Sequence, residues 1–303
     1  MTTFTVTDID IVYLSYDEPN AEANWAHLQN ICPWAQRVHG IKGSDAAHKA
    51  CADITTGTHM ITVDGDNQIN PKFFNQTWSF DSSWRVDSSV LSFSSLNVIN
   101  GLTYGNGGIK IWPRHVVHAM QTHEAVTSGS AAVDCCWHLD YVLMPGVWST
   151  SWINHTPYQA WRAGFREGVK MALVNGLLIK NPAEWRSSMA KVNWDRLMVW
   201  LQVGLDQQNA AWAIMGARQG LHRAMLTDWD HSQVQSFDHL DHIWQSEVQD
   251  LADPQGLIRD LGVELRNRLG MAIEPEPFTA AQSVWFKSVF HQPERTEPRR
   301  LRP

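Results

Sequence analysis

The amino-acid sequence predicts an α/β fold, with a mostly parallel sheet in the N-terminal half and a helical C-terminal half packed on it. Two observations carry this prediction. Within residues 1–70, three short apolar runs rich in β-branched residues alternate with two segments of helical character, which is the pattern of parallel strands joined by crossover helices. From residue 157 onward, apolar side chains recur three and four positions apart, which is the helical period.

Each N-terminal element follows from its local sequence. The first and third apolar runs are nearly continuous, which predicts strands buried on both faces. The second helix is preceded by Ser44 and Asp45, either of which can cap its first turn. The predicted order is a strand at 9–15, a helix at 21–30, a strand at 37–41, a helix at 46–52 and a strand at 60–63.

The pattern changes after residue 70. Clusters of serine and aspartate flank two short predicted strands at 90–93 and 96–99, joined by turns, with antiparallel pairing as one option. The later helices are predicted at 158–178, 193–205, 208–220 and 253–268. We therefore divide the chain into a sheet region at 1–150, a helical region at 151–292 and an arginine- and proline-rich tail at 293–303 that is predicted to be disordered.

Composition narrows the class of protein. The 303 residues carry a net charge of −7, which argues against a broadly basic nucleic-acid-binding surface but not against a local basic groove. The four cysteines show no CxxC spacing, so neither a zinc site nor a disulfide framework is indicated. The N-terminus lacks the features of a signal peptide, and no apolar stretch is long enough to span a bilayer. We expect a cytoplasmic protein without a membrane partner.

Two aspartates follow the third predicted strand. Asp64 and Asp66 flank Gly65, and a glycine there lets the backbone turn with positive φ, so that both carboxylates converge. The edge of an open α/β sheet at this point is where such folds usually bind ligands. Two anionic oxygens at this spacing suit Mg²⁺ or Mn²⁺, completed by substrate phosphates and water. On spacing alone, an acidic turn that only closes the strand is the competing interpretation.

A glycine-rich turn precedes another apolar run. Gly107, Gly108 and Lys110 belong to the sequence YGNGGIKIW, which places backbone amides and one lysine beside a predicted strand. Such a turn can approach a sugar or a phosphate closely. A plain hairpin turn built on the Asn-Gly pair explains the same pattern without a ligand.

The sequence resembles the TET/JBP-associated glycosyltransferases, GT-A-like enzymes found largely in tailed phages and related to the base-J glucosyltransferase. The resemblance extends over nearly the whole chain and is weakest at the first few residues and the arginine-rich tail. Its blocks, in order, are SYDEPNAEANW (15–25), RVHGIKGSDAAHKA (37–50), the DGDN run, YGNGGIKIW (104–112), PYQAWRAGFREGVKM (157–171) and TDWD (227–230). A lone DxD pattern is weak, whereas ordered blocks around it favour a metal site over an acidic turn.

The resemblance implies a nucleotide-sugar donor, most often a UDP-sugar, and a 5-hydroxymethylpyrimidine base in DNA as acceptor, with cytosine favoured over uracil. It implies that Asp64 and Asp66 hold the metal that neutralises charge on the leaving diphosphate, which gives Asp66 a catalytic role as well. It implies host cytoplasm if the protein is phage-encoded. The residues expected to bind the donor are Tyr16, Asp17, Arg37, Lys42, Asp45, Asp64, Gly107, Gly108 and Lys110.

An inverting transfer also needs a carboxylate that takes the proton of the acceptor hydroxyl. Asp134 is the first candidate because it stands between a small-residue run and an apolar one, while Asp140 and Glu124 compete for the role. A retaining enzyme would need no such base, and the sequence does not fix the stereochemistry. His155 is a candidate third metal ligand, although a histidine outside the site is the competing interpretation.

Contacts to DNA phosphates are expected from a local basic patch. Arg162, Arg166 and Lys170 recur at four-residue spacing, which places them on one helical face, where they either bind DNA or pair with Glu167 and nearby acids. Arg186 and Lys191 are further candidates.

Two other functions stay open from the sequence. The first is a GT-A-like enzyme that glycosylates a small molecule, a protein or a glycan, and the second is a non-catalytic sugar-binding protein. The intact acidic pair speaks against the second. The sequence names neither the sugar nor the oligomeric state.

Overall fold

The computed structural model describes residues 1–104, 107–121 and 139–301. The described strands are β1 (Thr2–Thr5), β2 (Asp10–Ser15), β3 (Gln36–His39), β4 (His59–Asp64), β5 (Asn67–Ile69), β6 (Thr77–Phe80), β7 (Val90–Asn97), β8 (Thr103–Tyr104), β9 (Ile109–Pro113), β10 (Tyr141–Ser151) and β11 (Arg299–Arg300). The described helices are α1 (Ala21–Ile31), α2 (Ser44–Ile54), α3 (Arg114–Ala119), α4 (Pro157–Ala172), α5 (Pro182–Ser188), α6 (Lys191–Trp200), α7 (Ala210–Leu226), α8 (Phe237–Ile243), α9 (Gln255–Leu269) and α10 (Ala280–Val289).

The predicted α/β class is confirmed, and the main sheet is mixed. Its described strands lie in the order β11-β10-β7-β9-β4-β2-β3. β2 is parallel to β3 and β4, and β7 is parallel to β10, whereas β9 is antiparallel to both β4 and β7. Because β9 opposes both of its neighbours, β4 and β7 run in the same direction. The prediction of a mostly parallel sheet is therefore only partly right: β2, β3, β4, β7 and β10 run in the same direction, whereas β5, β8, β9 and β11 are each antiparallel to the strands they pair with.

The N-terminal order of strand, helix, strand, helix and strand is confirmed, and each predicted boundary lies within two residues of the observed one. β2 and β4 lie next to each other inside the sheet, with apolar side chains fully buried on both faces. That double burial explains why continuous apolar runs predicted them correctly. The carboxyl ends of β2, β3 and β4 share one edge, because the three strands are parallel.

Segments in and beside the sheet differ from the prediction. The two short strands expected at 90–93 and 96–99 are one strand, β7, because Ser94 and the buried Ser95 continue it where consecutive serines suggested a turn. β10 was not predicted and crosses the expected boundary at residue 150. Within the tail expected to be disordered, Arg299–Arg300 form β11, where Arg300 donates to the carboxylate of Asp140 at 2.7 Å and to the carbonyl oxygens of Ser83 and Trp84.

The helical half is centred on the contact between α4 and α7, which four glycines bring very close together. A Cβ atom added to Gly164 or Gly168 of α4 would lie 1.9 Å or 2.2 Å from a backbone carbonyl oxygen of α7. The reverse holds for Gly216 and Gly220 of α7, where a Cβ would lie 2.2 Å from a carbonyl oxygen of α4. Because no side chain separates the two backbones, the position of α4 is fixed by its glycines.

Arg218 of α7 is fully buried and joins three parts of the helical half. Its guanidinium donates to the carbonyl oxygens of Leu201, Ile258, Glu274 and Pro275. One of these carbonyls follows α6, one lies within α9 and two follow α9, so a single side chain ties the three segments together. None of the helices that the structure describes is long and apolar enough to cross a membrane.

Candidate functional site

The acidic pair lies at the carboxyl edge of the parallel strands. Asp64 is the last residue of β4, and Asp66 stands in the turn before β5. The backbone of each aspartate is fixed by a hydrogen bond: the N–H of Asp64 donates to Gly108 O, and the N–H of Trp152 donates to Asp66 O. The two carboxylates are therefore presented by a rigid backbone.

The two carboxylates have different surroundings. Asp64 accepts from the ammonium of Lys110 at 3.3 Å, and Lys110 is itself buried, with 6% of its surface exposed. Burial raises the pKa of Asp66 to about 7, and the charges of Asp64 and Glu18 raise it further. One carboxylate is thus compensated by a cation, and the other is charged only at an electrostatic cost.

Gly65 differs from its predicted role. Its φ is not positive, so the turn does not require left-handed backbone there. The glycine is needed for space, because a Cβ would lie 2.7 Å from Glu18 Oε2 and 2.9 Å from the Cβ of Ser15. The loop after β2 therefore packs directly against the acidic turn.

Glu18 is a third carboxylate of the site, which the sequence did not single out. Its Oε2 accepts from the backbone N–H of Tyr16 at 2.8 Å. Burial raises the pKa of Glu18, opposed by that hydrogen bond and reinforced by the charges of Asp17 and Asp64. The position of Glu18 in the SYDEPN block was the available signal, but only the contact with Gly65 shows that it reaches the pair.

Asn67 orients Asp66 and was likewise missed. Its side-chain Nδ2 donates to Asp66 Oδ1 at 2.5 Å, while its Oδ1 accepts from three serine hydroxyls at 3.0 Å each. The serines belong to β7 and β10: Ser95, Ser149 and Ser151. The buried amide thus connects the acidic turn to two neighbouring strands.

A cavity of about 260 Å³ adjoins the acidic pair, between the sheet and α4. On the sheet side it is lined by Asp64 and Asp66, and on the helix side by Arg166, Glu167 and Lys170. The remaining lining residues are Asn67, Ser95, Asn97, Leu102, Tyr104, Gly107, Gly108, Ser151, Ile153, Ala163 and Trp200. The cavity thus has anionic groups on the sheet side and both cations and an anion on the helix side.

The glycine-rich turn lines the cavity. Gly107 and Gly108 both line it, and they pack tightly: a Cβ on Gly108 would lie 2.1 Å from the side chain of Asn67. The ammonium of Lys110 donates to Asp64 Oδ2 and to Gly107 O, so it holds the carboxylate of Asp64 in one position. Lys110 thus joins Asp64 to the glycine-rich turn.

The other predicted donor-binding residues lie near the ends of β2 and β3. Tyr16 and Asp17 are exposed directly after β2. Arg37 forms a bidentate ion pair with Glu22, and Lys42 pairs with Asp238 in the first turn of α8. Both cations therefore have protein partners. Asp45 lies in the first turn of α2.

The predicted basic patch is turned inward. Arg166 and Lys170 line the cavity, and Lys170 pairs with Glu167 at 2.7 Å, which was the alternative to a DNA contact. The Arg162 guanidinium lies over the rings of Tyr158 and Phe237; burial lowers its pKa, opposed by the charges of Asp17, Glu18 and Asp66. Four-residue spacing correctly predicted a common face, but that face points toward the acidic pair.

The remaining basic and acidic candidates have other contacts. Arg186 lies 3.8 Å from the centroid of the Trp194 ring, and Lys191 pairs with Asp195 at 2.5 Å. Asp140 binds Arg300 and Ser89 near β11, which makes it a structural acid. Asp134 and Glu124 lie outside the described residues, so the role of Asp134 as a base stays a prediction.

The structure does not bring His155 to the acidic pair. His155 is exposed, its backbone N–H donates to Gln159, and its carbonyl accepts from Asn209. Across residues 1–104, 107–121 and 139–301, no group of three His, Cys, Asp or Glu side chains is placed to hold a metal ion. A complete protein cage for a metal is therefore not formed by these residues.

Two carboxylates nevertheless fit a metal that a substrate completes. Mg²⁺ usually keeps several waters and takes only one or two carboxylates together with substrate phosphates. Burial raises the pKa of Asp66 most, and the nearby carboxylates of Asp64 and Glu18 raise it further; a divalent cation would offset both effects. The donor set and its charge thus suit Mg²⁺ or Mn²⁺ at Asp64 and Asp66.

Comparison with known proteins adds no family. The sequence matches no protein-family model, and no curated protein is significantly similar to it.

We expect the stability of the metal-free protein to depend on pH through Asp66. Its folded pKa of about 7 lies above the ordinary value of 3.8, so between these values the folded state binds more protons than the unfolded state. Stability is therefore lost as the pH rises toward 7. Asp66→Asn removes this cost, so its gain in unfolding free energy over the wild type should be larger at about pH 8 than at about pH 5, measured by denaturant unfolding in chelator.

Asp64→Asn is the matched variant. It removes the charge beside the buried ammonium of Lys110, so it should lower stability at both pH values. If the stability gain of Asp66→Asn over the wild type is the same at both pH values, the raised pKa of Asp66 is contradicted.

Proposed function

We propose that the protein is a metal-dependent glycosyltransferase with a GT-A-like fold. It moves a sugar from a nucleotide-sugar, with UDP as the expected nucleotide, to the hydroxymethyl group of 5-hydroxymethylpyrimidine in DNA. The observation that carries this proposal is the cavity in which Asp64 and Asp66 face Arg166. A diphosphate bound with a divalent cation needs both kinds of group, and the resemblance of the ordered blocks supports the choice of donor and acceptor.

The residues of the cavity would have different roles in the transfer. Asp64 and Asp66 would hold the metal, which when bound supplies Lewis-acid stabilisation of the leaving diphosphate. Lys110 fixes Asp64 and Asn67 fixes Asp66, so the oxygens are oriented before the donor arrives. Arg166, as the guanidinium on the opposite wall, would bind diphosphate oxygens by charge-assisted hydrogen bonds.

The acceptor is argued from chemistry and from the resemblance. The 5-substituent of a pyrimidine projects into the major groove, so transfer to duplex DNA is possible without base flipping. Nucleoside mass spectrometry after incubation of hydroxymethylated DNA with a panel of nucleotide sugars and Mn²⁺ tests the proposal. A mass increase of one sugar on the modified nucleoside is expected, and it should be absent with unmodified DNA. Transfer to a glycan, a protein or a small molecule in the presence of unused hydroxymethylated DNA would contradict the proposed acceptor.

We expect Arg166→Glu to weaken binding of the donor. Because Arg166 lines the cavity opposite the aspartates, charge reversal should raise the Kd of UDP with Mn²⁺ by about tenfold or more, measured by calorimetry. Lys191→Glu is the control, since Lys191 is exposed and pairs with Asp195 outside the cavity. If Arg166→Glu binds UDP normally but loses affinity for DNA, Arg166 contacts DNA phosphates, as the sequence analysis first expected, and does not bind the donor.

A further inference from the structure

Part of the cavity lining takes no part in the proposed diphosphate contacts. There, the sheet contributes neutral polar side chains and α4 contributes one carboxylate, that of Glu167. The neutral polar side chains are Ser95, Asn97 and Ser151. Only 13% of the Glu167 side chain is exposed, so its charge is held in a largely enclosed space.

Glu167 is held in one orientation by a chain of contacts. Its Oε1 accepts from the ammonium of Lys170 at 2.7 Å, and its Oε2 accepts from the hydroxyl of Tyr104. The hydroxyl oxygen of Tyr104 accepts from Trp200 Nε1 at 2.8 Å, and the guanidinium of Arg196 lies 4.4 Å from the centroid of the Tyr104 ring. The carboxylate is therefore preorganised before any ligand binds.

The contacts leave Glu167 able to accept more hydrogen bonds. An ionised carboxylate has about four acceptor positions, of which Lys170 and Tyr104 occupy two. A carboxylate cannot donate, so a group bound at the remaining positions must be a donor. Phosphate oxygens are anionic acceptors and are repelled, whereas sugar hydroxyls fit.

We infer that Tyr104, Glu167, Lys170 and Trp200, together called the hydroxyl subsite, hold the transferred sugar and select a neutral hexose with free hydroxyl groups. This inference rests on the proposed function and extends it to the identity of the sugar. Glu167 accepts from sugar hydroxyls, Ile153 supplies apolar surface for the C–H groups of the ring, and the buried Trp200 holds the hydroxyl of Tyr104 in place.

The hydroxyl subsite disfavours two common alternatives. A hexuronate would place a carboxylate, which cannot donate a hydrogen bond, where the remaining acceptor positions of Glu167 need a donor, so it would lose a hydrogen bond that a neutral hexose makes. An N-acetylhexosamine would replace one hydroxyl by a bulkier group. The selectivity is therefore a difference in binding affinity between donors that share one nucleotide and differ only in the sugar.

Calorimetry of the full chain with Mn²⁺ tests this inference. The probes are UDP, UDP-glucose, UDP-galactose, UDP-glucuronate and UDP-N-acetylglucosamine. For the wild type, one of the two neutral hexose donors should bind at least about tenfold more tightly than UDP-glucuronate, as expected for a charged hydrogen-bonding site. In Glu167→Gln, the Kd of the preferred neutral donor should rise by about tenfold, while the Kd of UDP stays within about twofold of the wild-type value. The ratio between the Kd values of UDP-glucuronate and of that neutral donor should become smaller.

Two variants make the result specific. Tyr104→Phe keeps the ring beside Arg196 and removes only the hydroxyl that holds Glu167, so a smaller loss for the same donor is expected. Glu184→Gln changes an exposed glutamate in the first turn of α5 and should change nothing. Circular dichroism and thermal unfolding check that each variant is folded.

The outcomes separate the inference from the proposed function. If UDP binds but Glu167→Gln keeps the full preference for the neutral hexose, or if the wild type prefers UDP-glucuronate, the hydroxyl subsite is wrong and the glycosyltransferase proposal stands. If UDP does not bind the wild type with Mn²⁺, both are overturned.

Discussion

Replacing both aspartates, Asp64→Ala with Asp66→Ala, should abolish sugar transfer. The two carboxylates are the proposed protein ligands of the metal, and Lewis-acid stabilisation of a leaving diphosphate is worth several kcal/mol, so the rate should fall by about 10³-fold or more. The measurement is the initial rate of nucleoside modification with saturating donor. Chelation of the wild type should produce the same loss, and added Mn²⁺ or Mg²⁺ should restore activity only in the wild type.

The matched control is Asp250→Ala, which removes an exposed carboxylate outside the cavity and should leave the rate unchanged. Thermal unfolding of the double variant shows whether the loss is chemical, because removal of the Asp66 charge relieves an electrostatic cost whereas removal of the Asp64 charge takes a partner from the buried ammonium of Lys110. A folded double variant with wild-type transfer would refute the metal site.

The N-terminal half of the fold was predictable because its signals are local. β2 and β4 are buried on both faces, so their sequences are apolar without interruption, and turn-forming residues mark their ends. The acidic pair followed from the same logic, since carboxyl ends of parallel strands meet at one edge. Asp64 and Asp66 lie there as predicted.

The elements that were missed depend on contacts between distant parts of the chain. β10 contains Pro145 and Gly146, which ordinarily end a strand, and it continues because a register shift between Leu143 and Val147 accommodates them. α4 is shorter than predicted because Asn175 and Gly176, both with positive φ, form a tight turn after it. That Asn-Gly pair was a local signal that helical periodicity concealed.

The site was predicted only in part for a related reason. Spacing places Arg166 and Lys170 on one face of a helix but does not say what that face meets. Asn67 is a polar residue after a polar turn, and its role depends on serines from β7 and β10 that lie far away in sequence. Reasoning from one sequence cannot supply such pairings, and these pairings orient Asp66.

The position of α4 links the helical half to the site, and Gly168→Ala should disturb both. Alanine is favoured over glycine in a helix by about 1 kcal/mol, so propensity alone predicts stabilisation. Here the added Cβ would lie 2.2 Å from the carbonyl oxygen of Ala217, which is backbone and cannot rotate away. The helices must separate, and we expect a net loss of about 1–3 kcal/mol in the free energy of unfolding, measured with denaturant.

Gly256→Ala is the matched control, because Gly256 lies in the first turn of α9 with nothing within 4 Å of an added Cβ. It should be neutral or stabilising by up to about 1 kcal/mol. Since α4 also carries Arg166, Glu167 and Lys170, a shift of about 1 Å at Gly168 should lower the transfer rate by up to about 10²-fold in the folded fraction. A Gly168→Ala protein as stable as Gly256→Ala would show that α4 and α7 tolerate separation, and the rigid wall of the cavity would lose its structural basis.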